Sequence, residues 1–277
     1  RNIFIIGNYD LIKKQFKKLK IKKKIFISNI NSVENLSEIK IIDVPLKFKN
    51  PFKVSVKNSS KYVLKCLDVA HNLSIRKKVK GIINCPIDKK LLKITKKIGV
   101  TELLASKVKN YRKSEVMMLY NKKLAVVPLT THFPIRKVPT KINKKLIINK
   151  ILTLNEEFIN LFKKKPKIGI LGLNPHNGEF EKNSEEIKKI IPAILYLKNK
   201  KIQIKGPLVA DTLFINNFKK FDVIVGMYHD QVLGPFKTLF KFDAINITLG
   251  LKYIRVSPDH GTAVPLIKKK IANPLSL

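Results

Sequence analysis

FDVIVGMYHDQ, residues 221–231, combines a short apolar run with a cluster of polar side chains. The run Val223–Val225 is short and β-branched, which predicts a buried strand of a parallel sheet. His229 and Asp230 follow that strand directly. Because ligands bind just beyond the carboxyl ends of the strands in open parallel sheets, we expect these two side chains to belong to a functional site.

Three further histidines follow strand-like segments in the same way. LAVVPLTTH ends at His132, KIGILGLNPH at His176 and YIRVSPDH at His260, and the chain has only five histidines. Imidazole nitrogen suits zinc and related divalent ions, and a catalytic site keeps three protein ligands and one open position. His132, His176 and His229 are therefore candidate metal ligands. Spacing alone favours unrelated surface or capping histidines, since the chain has no HExxH-type motif, and the shared position after strands is what supports a metal site.

Strand-like runs alternate with helical patterns along the chain, which predicts an α/β fold. Two of the runs, Val116–Tyr120 and Leu124–Leu129, are joined by so short a link that we expect antiparallel neighbours. Asn183 is followed three residues later by Glu186, which resembles a capping box at the start of a helix. With 277 residues the chain can form one large domain or two lobes.

The chain is strongly basic, with 57 Lys and Arg against 19 Asp and Glu and a formal net charge of +38. Such a charge suggests nucleic acid or an anionic membrane as a partner. Only five of the basic residues are arginine, however, and the lysines are spread over the whole chain. Recognition of bases and phosphates favours arginine, so we expect a solvated lysine-rich surface and no specific nucleic-acid partner. A basic nucleic-acid-binding protein is the alternative from another class.

The sequence also bears on the compartment of the protein. No apolar run reaches the ~18 residues of a membrane span, and no signal peptide is recognisable. Cys66 and Cys85 form no CxxC motif, which favours a reducing cytoplasm. The chain begins at Arg1 and reads as a strand almost at once, so we expect a preceding segment that this sequence lacks.

Further candidates lie downstream of His229. Arg255 follows a strand-like run and is a candidate anion clamp, whereas a lysine such as Lys237 is by itself an ordinary surface residue in this chain. The segment DHGT, residues 259–262, stands before a predicted helix, where it can hold a phosphate or ribose or simply cap the helix. No GxGxxG or GxxxxGK[ST] motif occurs, so neither a Rossmann fingerprint nor a P-loop is predicted.

Together these segments resemble the 4-hydroxythreonine-4-phosphate dehydrogenase family of pyridoxal phosphate biosynthesis. The resemblance is carried, in the family's order, by TTHFPIRKVP, GLNPHNGE, GPLVADTLF, MYHDQ, NITLGL and IRVSPDHGTA. It implies the fold of isopropylmalate and isocitrate dehydrogenases, with two α/β lobes and the active site in the cleft between them. The lobes are expected at residues 1–98 with 262–277 and at residues 99–261. A cytoplasmic homodimer with its active site at the interface is also implied.

By the same resemblance, the expected activity is NAD- or NADP-dependent oxidation and decarboxylation of 4-phosphooxy-L-threonine to 3-amino-2-oxopropyl phosphate. The family's ligands for one divalent metal ion (zinc, magnesium or cobalt), gathered from both subunits, match His132, His176 and His229. Its substrate-binding positions match Thr101, Lys237, Asn246 and Arg255, with Lys237 as the candidate catalytic residue. The stretch DHGTAVPLIKKKIANP, residues 259–274, resembles the adenosine-binding loop of isopropylmalate and isocitrate dehydrogenases. This likeness implies His260, Gly261, Thr262, Ala263 and Asn273 as candidate cofactor-binding residues.

The sequence departs from the family at GVTE, residues 99–102, where Val100 replaces a histidine that contacts the substrate. This replacement motivates the alternative function. The chain would then be a degenerate or specificity-shifted hydroxy-acid phosphate dehydrogenase of the same family.

Overall fold

The structure is a computed structural model that describes residues 3–31, 38–95, 99–107, 114–215, 217–266, 269, 271 and 273–277. It divides into two compact units, Arg1–Ile82 with Ile87–Leu104, and Ile83–Pro86 with Ala105–Leu277. Both units combine strands with helices, so the α/β class predicted from the sequence is confirmed.

The chain up to residue 107 forms β1 (Phe4–Gly7), α1 (Tyr9–Lys18), β2 (Ile25–Ile27), β3 (Ile39–Asp43), α2 (Val56–Ile75), β4 (Gly81–Ile83) and α3 (Val100–Lys107). β3 lies between β1 and β2 in a parallel sheet. α1 begins at Asn8, whose side chain accepts a hydrogen bond from the Leu11 N–H at 2.9 Å. Such a cap satisfies an N–H group that has no partner inside the helix.

The remainder forms β5 (Val116–Asn121), β6 (Leu124–Thr130), α4 (Val138–Lys141), α5 (Lys144–Phe162), β7 (Ile168–Leu171), α6 (Ile191–Asn199), β8 (Ile204–Leu208), α7 (Ala210–Leu213), β9 (Val223–Tyr228), α8 (His229–Phe240), β10 (Ile245–Leu249) and β11 (Ile254–Pro258). Among the described residues, eight strands form one sheet in the order β4-β11-β10-β5-β6-β9-β7-β8.

The direction of the strands decides where the site residues lie. β6, β9, β7 and β8 are parallel neighbours. β10 runs in their direction, because it is antiparallel to β5, which is itself antiparallel to β6. β11 is antiparallel to β10 and therefore runs the opposite way. The predicted antiparallel pairing of Val116–Tyr120 with Leu124–Leu129 is confirmed, since Leu119 pairs with Val126.

The two faces of this sheet are covered by different helices. α5 and α6 pack on one face, where Ile151 and Leu197 are fully buried. α8 packs on the other face through Val232 and Phe236, which are also fully buried. Burying a large apolar side chain contributes about 1.5–3 kcal/mol, so these two side chains fix α8 against β6 and β9.

The long helices α2 and α5 each have one apolar and one polar face. Leu67 and Ala70 are buried on α2, and Ile147, Ile151 and Leu154 on α5, at the three- and four-residue spacing of a helix that covers a core. Across the described part of the chain, no helix combines the length and the apolar character that crossing a membrane requires.

The segment after β11 belongs to the second unit in this structure, whereas the sequence placed residues 262–277 in the first lobe. One physical reason is the Ser276 hydroxyl, which accepts a hydrogen bond from the Asp259 N–H at 2.9 Å and so ties this segment to the end of β11. The lobe boundaries expected from the family resemblance stay a prediction.

Asp222 joins the start of β9 to the start of β7. Its carboxylate accepts hydrogen bonds from Lys164 Nζ at 2.7 Å and from the Lys167 N–H at 2.8 Å. Partial burial alone would raise the pKa of this carboxyl, but the bonds from Lys164 and Lys167, and the charges of these lysines, lower the pKa below its usual value. Asp222 therefore stabilises the two strands whose opposite ends carry His229 and His176.

We expect Asp222→Asn to lower the free energy of unfolding by about 1 kcal/mol near neutral pH. The folded protein binds the Asp222 proton more weakly than the unfolded chain, so the contribution is present above the unfolded pKa of about 3.9. It is lost as the pH falls through the lower pKa of the folded state. Urea unfolding of both proteins at about pH 7 and pH 3 measures this difference, which should shrink in acid. Glu181→Gln, at an exposed carboxylate, is the control, and an equal loss at both pH values would contradict the prediction.

Candidate functional site

The segments that carry the three candidate metal ligands meet at one edge of the sheet. β9 lies between β6 and β7, and the three strands are parallel, so their carboxyl ends are adjacent. His132 comes two residues after β6, His229 follows β9 directly, and His176 comes five residues after β7. This is the edge at which open parallel sheets bind ligands.

Two of these histidines face each other. The ring centroids of His132 and His229 lie 5.9 Å apart with an interplanar angle of 36°. Bonds from imidazole nitrogen to zinc are about 2.0–2.1 Å long, so the two rings are close enough to share one ion. His229 Nδ1 lies 2.7 Å from Asp230 Oδ1, and a carboxylate on one ring nitrogen orients the other toward a metal.

His176 is not joined to this pair within one chain. No group of three or more His, Cys, Asp or Glu residues arranged to hold a metal occurs among the described residues. His176 is exposed in its loop. The described part of a single chain therefore brings two of the three predicted ligands together.

His260 resembles the other three histidines in sequence but lies at the opposite edge of the sheet. β11 is antiparallel to β10, and its last residue, Pro258, pairs with Ile245, the first residue of β10. The chain therefore leaves β11 at the amino edge of the parallel strands. This placement separates His260 from the His132–His229 pair. It agrees with the prediction that His260 is not one of the metal ligands.

The loop that carries His176 is held by the buried carboxylate of Glu186. The side chain of Glu186 has no exposed area. Its Oε1 accepts hydrogen bonds from the Leu173 N–H at 2.7 Å and the Asn174 N–H at 2.9 Å, and its Oε2 accepts one from Asn174 Nδ2 at 2.9 Å. The capping box predicted at Asn183 and Glu186 is therefore wrong, because Glu186 binds the preceding loop.

The same loop has an unusual backbone. From His176 to Phe180 every residue has a positive φ, between 47° and 60°. Residues other than glycine cost roughly 1–2 kcal/mol each in this conformation, so surrounding contacts must hold the turn. Asn177 is one such contact, because it is buried and its Nδ2 donates to the Pro207 carbonyl at 3.3 Å. The protein thus imposes the position of His176.

Gln231 joins the carboxyl ends of β9 and β7. Its Oε1 accepts a hydrogen bond from the Met227 N–H at 2.7 Å, and its Nε2 donates to the Gly172 carbonyl at 2.8 Å. Gly226 makes room for this contact, since a Cβ there would lie 2.9 Å from Gln231 Oε1 and 2.6 Å from Val232 Cγ1. The glycine in FDVIVGMYHDQ is therefore required by packing beside the site.

Asn246 and Arg255 lie on the sheet face that α8 covers. Thr248 pairs with Arg255 across the strands, and Asn246 lies two residues before Thr248 on β10, so all three share a face. Arg255 is buried, and it donates from Nε to Asn84 Oδ1 at 2.6 Å and from Nη1 to Thr248 Oγ1 at 2.9 Å. Asn246 Oδ1 is buried and has no hydrogen-bond partner among the described residues.

Lys237 belongs to the same face but not to the histidine edge. It lies on α8 eight residues after His229, which is about 12 Å along the helix axis. Its Nζ donates to the Asp259 carbonyl at 3.0 Å and to Asp259 Oδ2 at 3.2 Å. The predicted substrate-binding residues Asn246, Arg255 and Lys237 therefore belong to one sheet face, and Lys237 lies away from the histidine pair along α8.

The remaining predicted site residues are more exposed. Gly261, Thr262 and Ala263 form an exposed segment after β11. His260 Nδ1 lies 2.9 Å from the Gly261 carbonyl oxygen, and its Nε2 is buried without a partner among the described residues. Asn273 Oδ1 accepts from the Leu275 N–H at 2.9 Å, and Thr101 lies on α3.

Three residues important for this geometry were not found from the sequence. Glu186 was interpreted as a helix cap, and neither Asp259 nor Gln231 was assigned a partner. The partners of these residues lie on other elements, so no local pattern reveals them. The one usable signal for Asp259 and Gln231 was their position just after or near a strand end.

Comparison with known proteins gives consistent results. The family model described as pyridoxal phosphate biosynthetic protein PdxA matches residues 1–277. The 4-hydroxythreonine-4-phosphate dehydrogenase of Aquifex aeolicus (strain VF5) is 42% identical over 253 residues, covering 88% of this chain and 78% of that protein. A protein of Oceanobacillus iheyensis provisionally named D-threonate 4-phosphate dehydrogenase is 39% identical over 216 residues, covering 76% of this chain and 64% of that protein.

A solved structure is similar along nearly the whole chain. The crystal structure of a 4-hydroxythreonine-4-phosphate dehydrogenase from Burkholderia phymatum matches with a TM-score of 0.80 at 32% identity. The match covers 99% of this chain and 84% of that one.

Proposed function

Because the chain belongs to the PdxA family of pyridoxal phosphate biosynthetic proteins, we propose that it is a 4-hydroxythreonine-4-phosphate dehydrogenase. The reaction oxidises the 3-hydroxyl of 4-phosphooxy-L-threonine, transfers a hydride to NAD or NADP and releases a proton. Loss of carbon dioxide from the resulting keto acid then gives 3-amino-2-oxopropyl phosphate. The observation that carries the proposal is the facing pair His132 and His229 at the ligand-binding edge of the sheet.

The residues at that edge fit a divalent metal ion. The ion, when bound, supplies a Lewis acid for the substrate hydroxyl. We assign its binding to His132, His176 and His229, drawn from both subunits of a homodimer. Support for the second subunit is that one chain brings only two of these residues together among those described. Imidazole ligands favour zinc or cobalt over magnesium, which prefers oxygen ligands.

The sheet face under α8 fits an anionic substrate. The substrate carries a phosphate and a carboxylate, and Lys237 and Arg255 supply positive charge on this face. The buried Oδ1 of Asn246, which lacks a partner among the described residues, is available to a donor of the substrate. Burying such an acceptor without a partner is costly, so a ligand that donates to it gains affinity. Thr101 completes the substrate set by the family match.

The nicotinamide cofactor accepts the hydride when bound. We assign the cofactor contacts to His260, Gly261, Thr262, Ala263 and Asn273. Support comes from His260 Nε2, which is buried and has no partner among the described residues. Both Cys66 and Cys85 are free thiols, which is consistent with a cytoplasmic enzyme.

The decisive experiment supplies the purified protein with zinc or cobalt, NAD and 4-phosphooxy-L-threonine. We expect NADH absorbance to increase, together with release of carbon dioxide and one equivalent of bound metal by elemental analysis. NADP in place of NAD shows which nucleotide is used. A metal-loaded, folded protein that forms neither NADH nor NADPH from this substrate would overturn the proposal.

A second candidate activity is oxidation of D-threonate 4-phosphate. It is favoured by Val100, which stands where the family has a histidine that contacts substrate, and by the similarity to the Oceanobacillus protein. This substrate has a hydroxyl in place of the amino group. NADH formation from D-threonate 4-phosphate, with none from 4-phosphooxy-L-threonine, would establish the second candidate.

A further inference from the structure

Asp259 is a buried carboxylate in contact with a substrate-binding lysine. Its side chain has 0% exposed area, whereas the Lys237 side chain keeps 38%. The Lys237 ammonium donates to the Asp259 backbone carbonyl at 3.0 Å and to its Oδ2 at 3.2 Å. One residue therefore binds the lysine through two atoms at the end of β11.

Asp259 is itself held in place from a second direction. The Ser276 hydroxyl accepts a hydrogen bond from the Asp259 N–H at 2.9 Å and donates to Asp259 Oδ1 at 3.3 Å. Ser276 is 3% exposed, so this reciprocal pair is shielded from water. The two carboxylate oxygens thus have different partners, Ser276 on Oδ1 and Lys237 on Oδ2.

The contact defines what Lys237 can do. An ammonium has three N–H bonds, and two of them point to Asp259, which leaves one for an acceptor outside the pair. A lysine side chain otherwise samples many rotamers, and ordering it costs up to about 2 kcal/mol. Asp259 removes most of that freedom before a ligand arrives.

We propose that Asp259 is a positioning residue that holds the Lys237 ammonium with one N–H directed to the substrate. The inference rests on the proposed function, because it takes Lys237 to be a substrate-binding residue. Asp259 does not touch the substrate in this arrangement. Its fully buried side chain is also unavailable to a ribose or phosphate, so the DHGT segment would meet a nucleotide through the residues that follow Asp259.

The link between Asp259 and Lys237 can be measured without any catalysis. Trace acylation of lysines, followed by mass spectrometry, reports how accessible and reactive each amine is. In Asp259→Asn the Lys237 amine should be acylated about tenfold faster, since a hydrogen bond to a charged partner is lost. Lys220, which is exposed and bonds to Asn217 Oδ1 at 2.8 Å, is the internal reference and should not change.

Kinetics then test whether the link serves the substrate. Asp259→Asn should lower kcat/KM by about tenfold, and Lys237→Met should lower it by at least as much. In both variants the loss should divide between kcat and KM in the same proportion. In the double variant, Asp259→Asn should add almost nothing to Lys237→Met, because Asp259 acts through the lysine. A purely structural role would instead give additive losses in the two backgrounds.

Ser276→Ala keeps the proposal testable if Asp259→Asn does not fold. It removes one support of Asp259 without changing any charge, and should raise Lys237 acylation by about twofold to threefold. Unchanged acylation of Lys237 in a folded Asp259→Asn variant, or in Ser276→Ala where that variant fails, would overturn the inference. Additive kinetic losses would also overturn it. If the wild-type protein turns over neither substrate, that result would instead count against the proposed function. The acylation experiment would still show whether Asp259 restrains the Lys237 ammonium.

Discussion

Replacing His229 with alanine should abolish tight binding of the proposed divalent metal ion. His229 directly follows β9, faces His132 across 5.9 Å and is oriented by Asp230. Loss of a residue that only orients a metal ligand typically costs 10–100-fold in affinity, so loss of the ligand itself should cost more than about 100-fold. Turnover should fall in parallel, because the substrate hydroxyl would lose its Lewis acid. Isothermal titration with zinc, and elemental analysis after dialysis, measure the binding directly.

His260→Ala is the matched control for metal binding. It removes the same kind of side chain after a strand, but at the opposite edge of the sheet, so metal affinity should be unchanged. Asp230→Asn should give an intermediate result, with affinity reduced by roughly tenfold, because the His229 ring loses an orienting carboxylate. Equal metal affinity in His229→Ala and the wild type would contradict the assignment of the metal site.

Replacing Glu186 with alanine should lower the free energy of unfolding by about 3–5 kcal/mol. The fully buried carboxylate accepts three hydrogen bonds from Leu173 and Asn174. Alanine takes this acceptor away from the Leu173 and Asn174 N–H groups and leaves a cavity, while Asn174 Nδ2 keeps its hydrogen bond to Glu185 Oε2 at 3.1 Å. The positive-φ turn at residues 176–180 would lose one of the contacts that hold it. Urea denaturation measures the stability, and hydrogen exchange at the Leu173 amide reports the local loss.

Two variants separate the burial of Glu186 from its charge. Glu186→Gln keeps one acceptor oxygen for the two backbone N–H groups but places an NH₂ group opposite the Asn174 amide, so about half of the destabilisation should remain. Glu185→Gln, next to it in sequence, changes a partly exposed carboxylate that contacts Lys189 and accepts a hydrogen bond from Asn174 Nδ2 at 3.1 Å. It should cost less than about 1 kcal/mol. A loss for Glu186→Ala no larger than that for Glu185→Gln would show that the loop does not depend on the buried carboxylate.

The fold class was predictable from the sequence because local residue patterns encode the individual strands and helices. The apolar run in FDVIVGMYHDQ became β9, and the short link before Leu124 became the turn of the β5–β6 hairpin. The direction of β11 was not predictable in this way. YIRVSPDH has the same strand-then-histidine pattern as the segments before His132 and His229, and only its pairing with β10 reverses it. That pairing is a tertiary contact, and no local sequence pattern indicates it.

The placement of the candidate site residues in the fold was predictable only in part. The histidines were found because they follow strands, and parallel strands end at one edge. The role of Glu186 was missed because a glutamate three residues after Asn183 has the spacing of a capping box, whereas burial against Leu173 and Asn174 decides its partner. The partner of Lys237 was missed because one lysine among so many carries no signal until Asp259 is placed beside it.

Helix α8 sets the spacing between the candidate metal ligand His229 and the proposed substrate-binding residue Lys237. His229 is the first residue of α8, and Lys237 lies further along the same rigid segment. Inserting or deleting one residue between them would turn Lys237 by about 100° around the axis and shift it by about 1.5 Å. Its ammonium would then leave Asp259. The number of residues between His229 and Lys237 therefore fixes the separation of these two side chains. We expect α8 to tolerate substitutions on its solvent-exposed side but not a change of length.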